Sequence, residues 1–173
     1  MKLMESGVEL NDFTVENCIH SGSIAPIDQV RYSRGAPDPG FPMAMKVTRM
    51  TPGDGAENIV CFEVEYQILP TVMGSHVPRF AAAGDLHNVP YLVMEYVHGR
   101  TIQHWLHLPQ RPAVNEAVRL GVAMALAAHS LHEKNTVHLD LKPDNVLIRP
   151  DGTAVLLDFG LSCNALYPDL LAE

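Results

Sequence analysis

Val137-His138-Leu139-Asp140-Leu141-Lys142-Pro143-Asp144-Asn145, followed by Leu156-Leu157-Asp158-Phe159-Gly160, decides how this chain is read. The two stretches place one acid, one cation, one amide and a second acid on two neighbouring turns. Between them Val146-Leu147-Ile148 and Ala154-Val155-Leu156-Leu157 are short apolar runs separated by Pro150-Asp151-Gly152, a turn signal, so a hairpin is expected with Asn145 and Asp158 at its two ends. Transfer of a phosphoryl group passes through a loose, highly charged transition state, which asks a protein to position an acceptor hydroxyl and to neutralise oxygens with metal and cations. Carboxylate, amide and ammonium groups at this spacing are the residue types that such chemistry uses.

In these motifs the chain resembles a serine/threonine protein kinase domain of the eukaryotic type, bacterial forms included. His138-Leu139-Asp140 stands at the His-Arg-Asp catalytic motif and Asp158-Phe159-Gly160 is the Asp-Phe-Gly motif. Lys142-Pro143-Asp144-Asn145 resembles the serine/threonine wording, since tyrosine kinases usually carry Ala-Arg or Arg-Ala from the position of Lys142. The resemblance implies Asp140 as base or orienter of the acceptor hydroxyl and Lys142 as the cation that reaches the transferring phosphate. It implies Asn145 and Asp158 as ligands of Mg2+, a hard cation that takes oxygen donors, with ATP as the nucleotide. The implied fold is α+β and bilobal. A complete small lobe, a five-stranded sheet plus one helix, would occupy residues 1–97 with the nucleotide-binding loop and hinge. Residues 98–173 would form only the first part of a helical large lobe, with the catalytic loop and the start of the activation segment. Only Leu161 to Glu173 follow the Asp-Phe-Gly motif, so the resemblance implies a chain truncated soon after it.

Composition narrows the classes. Of the 173 residues 47% are apolar and 18% charged, as in a folded globular chain, and the net charge of −8 without a Lys/Arg cluster argues against a nucleic-acid surface. Cys18, Cys61 and Cys163 are odd in number and form no Cys-x-x-Cys pair, which fits a reducing compartment. Met1-Lys2-Leu3-Met4-Glu5 meets an acid before any apolar core forms, and no apolar run is long enough to span a bilayer. A cytoplasmic location is expected.

Upstream, Phe13 to Ile19 and Ile27 to Tyr32 read as antiparallel strands around His20-Ser21-Gly22-Ser23-Ile24-Ala25-Pro26. By resemblance this is the glycine-rich loop over the phosphates, with Ile19, Gly22 and Ile27 at the nucleotide. Gly22 stands at the second glycine, while His20 and Ala25 replace the first and third. Ser33 to Pro42 is a Gly/Pro loop. Met43-Ala44-Met45-Lys46-Val47 resembles the Val-Ala-Ile-Lys strand, with Lys46 bridging the α- and β-phosphates and Ala44 roofing the adenine. Ala56 to Leu69 carries Ile59, Phe62, Tyr66 and Leu69 at helical steps, begun by Pro52-Gly53 and ended by Pro70. Glu63 and Glu65 are both available to pair with Lys46, and alignment of the apolar positions selects Glu65.

Val77 to Ala83 and Tyr91 to Val97 read as two further strands around Gly84-Asp85-Leu86-His87-Asn88. Tyr91 to Gly99 resembles the hinge. Met94 would lie at the back of the adenine pocket, the Glu95 carbonyl and Val97 backbone would meet the adenine edge, and Leu147 would be its floor. Thr101 to His107 is a short helix. Val114 to Lys134 is the longest helical pattern, apolar around its girth with Ala117, Leu120, Met124, Ala127 and Leu131 down one side; burial is expected, with Asn135 at its end. His104/His107 and His129/His132 share helix faces but lack further ligands nearby, so they read as surface histidines.

Leu139 replaces the arginine that clamps an activation-loop phosphate in many kinases, which implies that this route of switching is absent. Protein is the expected substrate, and a partner or a missing C-terminal part would cover the large lobe. A nucleotide-binding pseudokinase or scaffold, a small-molecule kinase of the aminoglycoside or choline type, and a pure protein-interaction domain are the competing readings.

Overall fold

The computed structural model describes residues 6–21, 26–33, 39–48, 56–84 and 89–167. The chain divides into two compact units, one combining residues up to Phe62 with Arg79–Tyr96, the other combining Glu63–Pro78 with the residues from Val97 onward.

The first unit is built on an antiparallel sheet in which one strand, Pro26–Tyr32, alternates buried and half-buried residues, while its central strands Met43–Val47 and Tyr91–Glu95 are buried at four of five positions. Its strands are β1 (Glu9–Leu10), β2 (Phe13–Ser21), β3 (Pro26–Tyr32), β4 (Met43–Val47), β5 (Phe80–Ala83) and β6 (Tyr91–Glu95), in the order β1-β2-β3-β4-β6-β5. The two-residue β1 is a sixth strand beyond the five expected, paired through Leu10 with Phe13. Strand β5 begins at Phe80 rather than Val77, and β6 ends at Glu95. One face carries the core: Phe13, Val15, Val30, Met43, Met45, Val47, Tyr91 and Val93, with Phe13 stacked on Tyr32 at 4.8 Å. Met45 is 0% exposed. Asp28, opposite Met45 in register, is also 0% exposed and neither of its oxygens has a hydrogen-bond partner among the described residues. Burial pushes its carboxyl above the ordinary range, and the Cys18 thiol beside it offsets part of that rise.

Helix α1 (Ala56–Ile68) runs on into a 3-10 turn at Leu69–Thr71 that has Pro70 inside it. Its buried residues are Phe62, Val64, Glu65, Ile68 and Leu69, whereas Tyr66 is 48% exposed. The expected stripe through Tyr66 is therefore corrected: the buried arc is wider and is turned toward Val64 and Ile68, and it takes in a glutamate.

In the second unit β7 (Arg100–Thr101), α2 (Ile102–Leu106), α3 (Val114–His132), β8 (Thr136–Val137), β9 (Val146–Ile148), β10 (Ala154–Leu156) and β11 (Cys163–Asn164) follow in order, with a 3-10 turn at Pro143–Asn145. Thr101 caps α2 by accepting from His104 N. Asn135 sits after α3 at φ 55, the left-handed stop that asparagine tolerates. The expected hairpin is β9–β10, with Val146 opposite Leu156 and the turn held by Thr153 N donating to Asp151 Oδ1 at 2.9 Å. β7 joins its edge, and β8 pairs with β11; neither pairing was anticipated, because two-residue strands leave no period to read.

Helix α3 packs against β10, but only Ala127 and Leu131 are buried in it. Val114 is 78%, Val118 58%, Val122 54% and Leu126 54% exposed. The expectation of a helix buried all round is thus corrected: packing from other elements covers one side of its C-terminal half, and the valine stripe faces outward.

Candidate active site

Within the second unit the β9–β10 ladder fixes the two motifs. Val146 pairs with Leu156, and one step further Leu157 N donates to Asn145 O at 2.8 Å. Asn145 therefore stands opposite Leu157 at the end of the hairpin, and Asp158 follows one residue later on the other strand. Asn145 is 6% exposed, and its Nδ2 donates to Asp140 Oδ2 at 2.9 Å and to Asp140 O at 3.0 Å. With the nitrogen end held, the oxygen is the end of that amide suited to a cation. Lys142 Nζ lies 2.7 Å from Asp140 Oδ2, and this hydrogen bond holds the ammonium pKa above its ordinary value. Acid, amide and cation are thus one cluster built on a single loop, with Pro143 opening the 3-10 turn that brings Asn145 back to Asp140.

His138 anchors this loop from below. Its Nε2 donates to Leu157 O at 3.0 Å and its Nδ1 accepts from Asp140 N at 3.3 Å, which requires a neutral ring with the proton on Nε2. Burial pushes its pKa down, against the pull of the Leu157 carbonyl and the carboxylates of Asp140, Asp158 and Glu65. Its ring lies 5.1 Å from that of Phe159, which is 1% exposed. Glu65, 1% exposed, accepts from Phe159 N at 3.3 Å through Oε1. The Asp-Phe-Gly segment is therefore tied to the end of α1 by a carboxylate and to the catalytic loop by a ring contact. The sequence marked Glu65 and His138 as motif positions; these particular partners are backbone groups and have no sequence signature.

Two backbone positions stand out. Leu139 at φ 60 and Asp158 at φ 62 are non-glycine residues in the left-handed region, which costs about 1–2 kcal/mol per residue. Such strain collects where a loop must aim side chains rather than relax. At 139 the twist lets Asp140 N turn to His138 while Leu139 stays 62% exposed. Val137, Leu139 and Leu141 line a groove of about 270 Å³ with Ala128, Leu131 and His132 of α3. After the motif, Ser162 Oγ donates to His138 O, and Asn164 Nδ2 donates to Thr136 Oγ1 at 2.7 Å and Lys134 O at 3.1 Å.

In the first unit the register places the other expected residues. Ile27 pairs with Lys46, Lys46 with Leu92, and Ala44 with Met94, so Ile27, Ala44, Lys46 and Met94 share one face of the sheet, opposite the apolar core. Ile19 is 38% exposed beside a register shift in β2. Gly22 lies outside the described residues, as do Pro52-Gly53 and Asp85 to Asn88. Glu95 projects to the core face, where Arg79 Nε meets its Oε2 at 3.2 Å. Val97 and Leu147, 7% and 8% exposed, pack together with Val155 and Leu157 in the second unit.

The donor set suits a hard divalent cation: an amide oxygen at Asn145 and a carboxylate at Asp158, both oxygen ligands. Among the described residues no group of three or more His, Cys, Asp or Glu could hold a metal ion; His104, His107, His129 and His132 are exposed. Cys18, Cys61 and Cys163 form no disulfide among the described residues. No helix among the described residues is long and apolar enough to cross a membrane.

A catalytic-loop acid clamped by an asparagine and a lysine, beside an Asp-Phe-Gly turn, is an arrangement of known kind. The protein kinase domain family matches residues 34–169, and the chain belongs to that family. It is similar to "Protein kinase PINOID 2" of Arabidopsis thaliana, 33% identical over 169 residues that cover 96% of this chain and 32% of that protein. Citron rho-interacting kinase of Rattus norvegicus is 31% identical over 160 residues, 92% of this chain and 8% of that protein. "Probable serine/threonine-protein kinase pknA2" of Bifidobacterium longum is 31% identical over 126 residues, 71% of this chain and 17% of that protein. The chain thus spans between 8% and 32% of the length of these relatives. The family generally uses ATP and Mg2+.

Proposed function

We propose that this chain carries the nucleotide site and catalytic loop of a serine/threonine protein kinase, which transfers the γ-phosphoryl group of ATP to a serine or threonine hydroxyl of a protein. The observation that carries this reading is the Asp140 carboxylate held at 2.9 Å by the Asn145 amide and at 2.7 Å by Lys142. Asp140 orients the acceptor hydroxyl and takes its proton, and Lys142 stabilises charge on the transferring oxygens. Asn145 and Asp158 hold magnesium, which when bound supplies charge neutralisation at the phosphates. Lys46 binds the α- and β-phosphates with Glu65 as its anionic partner. Ile19, Gly22, Ile27, Ala44, Met94 and Leu147 enclose the nucleotide, and the backbone of Glu95 and Val97 reads the adenine edge.

We assign residues 1–97 to the small lobe and 98–173 to the beginning of the large lobe, in a cytoplasmic protein consistent with three cysteines that form no disulfide among the described residues. The outward stripe Val114, Val118, Val122 and Leu126 supports a further expectation: a partner or a further segment of chain covers α3, and the 173 residues alone transfer phosphate poorly.

Calorimetry with MgATP on the 173-residue chain, repeated with Asp158→Asn, tests nucleotide binding. Wild-type binding that requires magnesium and falls with the variant is expected; no binding by wild type overturns the reading. Turnover by a longer chain, abolished by Asp140→Asn, separates a kinase from a nucleotide-binding scaffold.

A further inference from the structure

We propose that Arg79 is a positioning residue for adenine recognition, acting through Glu95 and braced by Phe41. The inference rests on the ATP-site reading above and deepens it. Strand β5 is the sheet's outer strand beside β6, only four residues long, with the sequence Phe80-Ala81-Ala82-Ala83. Its pairing with β6 shifts register between Phe80 and Ala82. Three alanines and a bulge hold register weakly, because small side chains supply little cross-strand packing to oppose a slip. A slip here would carry Met94 and Glu95 with it.

Arg79 supplies the missing pin by three routes at once. Its carbonyl accepts from Glu95 N at 2.8 Å, its own N–H donates to Glu95 Oε2 at 3.3 Å, and its Nε donates to the same oxygen at 3.2 Å. The carboxylate therefore stands where a ladder acceptor stands, so a side chain ties the two strands at the position where their regular pairing ends. Glu95 is 7% exposed, and an ionised carboxylate at that depth requires a charged partner. The guanidinium is itself fixed, its Cζ lying 4.1 Å from the centroid of Phe41. The neighbouring loop closes the brace: Tyr96 N donates to Pro42 O at 2.7 Å. Glu95 is thus held at its own N–H and carboxylate by Arg79, and the peptide unit that leaves it is held by Pro42. Lysine at 79 would keep the charge but lose both the directed Nε–H bond and the flat stacking face.

The test uses the 173-residue chain and measures dissociation constants for MgATP, adenosine and magnesium tripolyphosphate in wild type, Arg79→Ala, Arg79→Lys and Phe41→Leu. Loss of one well-placed hydrogen bond corresponds to about fivefold in affinity. MgATP and adenosine are expected to weaken by about that factor in Arg79→Ala and less in Arg79→Lys and Phe41→Leu, with tripolyphosphate unchanged in all three. Equal weakening of all three ligands, or unchanged adenosine binding in folded variants, overturns the positioning role while leaving the ATP site in place. Should Arg79→Ala fail to fold, Arg79→Lys and Phe41→Leu carry the same comparison. A wild-type chain that binds none of the three ligands overturns the ATP-site reading itself.

Discussion

The sheet of the first unit and the catalytic loop of the second bury polar groups in opposite ways. In the sheet Asp28 is sunk in an apolar face with no hydrogen-bond partner among the described residues. In the loop His138 and Asn145, and after the Asp-Phe-Gly motif Ser162 and Asn164, are buried too, yet each is hydrogen-bonded. Apolar side chains are enough to set the sheet, which tolerates one buried acid beside the Cys18 thiol. The loop has little apolar packing to hold it and depends on its polar bonds, so its buried side chains act as struts.

The comparison predicts stability effects of opposite sign. The largest is at Asn145→Ala, which removes two bonds to Asp140, one to a carboxylate; a loss of about 2–3 kcal/mol is expected from denaturant midpoints. A fall under half a kcal/mol would remove Asn145 from the struts. Asp28→Val substitutes a strand-favouring apolar side chain for the unsatisfied acid and is expected to add about 1–2 kcal/mol at neutral pH. A loss instead would mean that the Cys18 thiol beside it satisfies the acid. Leu139→Asn relieves a leucine from the left-handed region at a site 62% exposed, for a gain of roughly 1 kcal/mol.

The smallest effect concerns pH. The fold keeps His138 neutral and lowers its pKa below 6.5, so its contribution is complete above that value and is lost as pH falls toward the folded pKa. Asp28 works the other way, since its raised folded pKa favours the protonated acid and the fold gains from it as pH falls toward 3.8. Melting temperatures followed from pH 6.5 down toward 3.8 should therefore decline more steeply in Asp28→Val than in wild type, and His138→Gln should flatten the decline. Parallel curves for all three proteins would show that neither group controls the acid limb.

Much of the site could be read before the fold. The Lys-Pro-Asp-Asn run and the Asp-Phe-Gly turn are separated by a hairpin whose turn residues and apolar runs are local signals, so Asn145 and Asp158 were expected at its ends. The Met43–Val47 run was likewise legible as a strand, and its register sets Ala44 opposite Met94 and Lys46 opposite Leu92. Tyr66 and α3 were less legible. Helical period gives a stripe, but the arc that is buried depends on which elements pack against it, and in α3 only the side near β10 found cover. The Arg79–Glu95 link joins residues far apart in the chain, and a lone arginine before Phe-Ala-Ala-Ala carries no local sign of a partner.

Residue type and short-range order by themselves determined the chemistry: an acid, an amide and a lysine within six positions cannot avoid one another on a turn that proline stiffens. Tertiary structure alone decided their working state, namely the neutral His138 ring beneath Asp140, the Phe159 amide on Glu65 and the left-handed bend at Leu139. Those features arise from burial and from contacts between distant segments. A carboxylate or imidazole takes its partner from whatever the fold brings within about 3 Å, which no local pattern encodes.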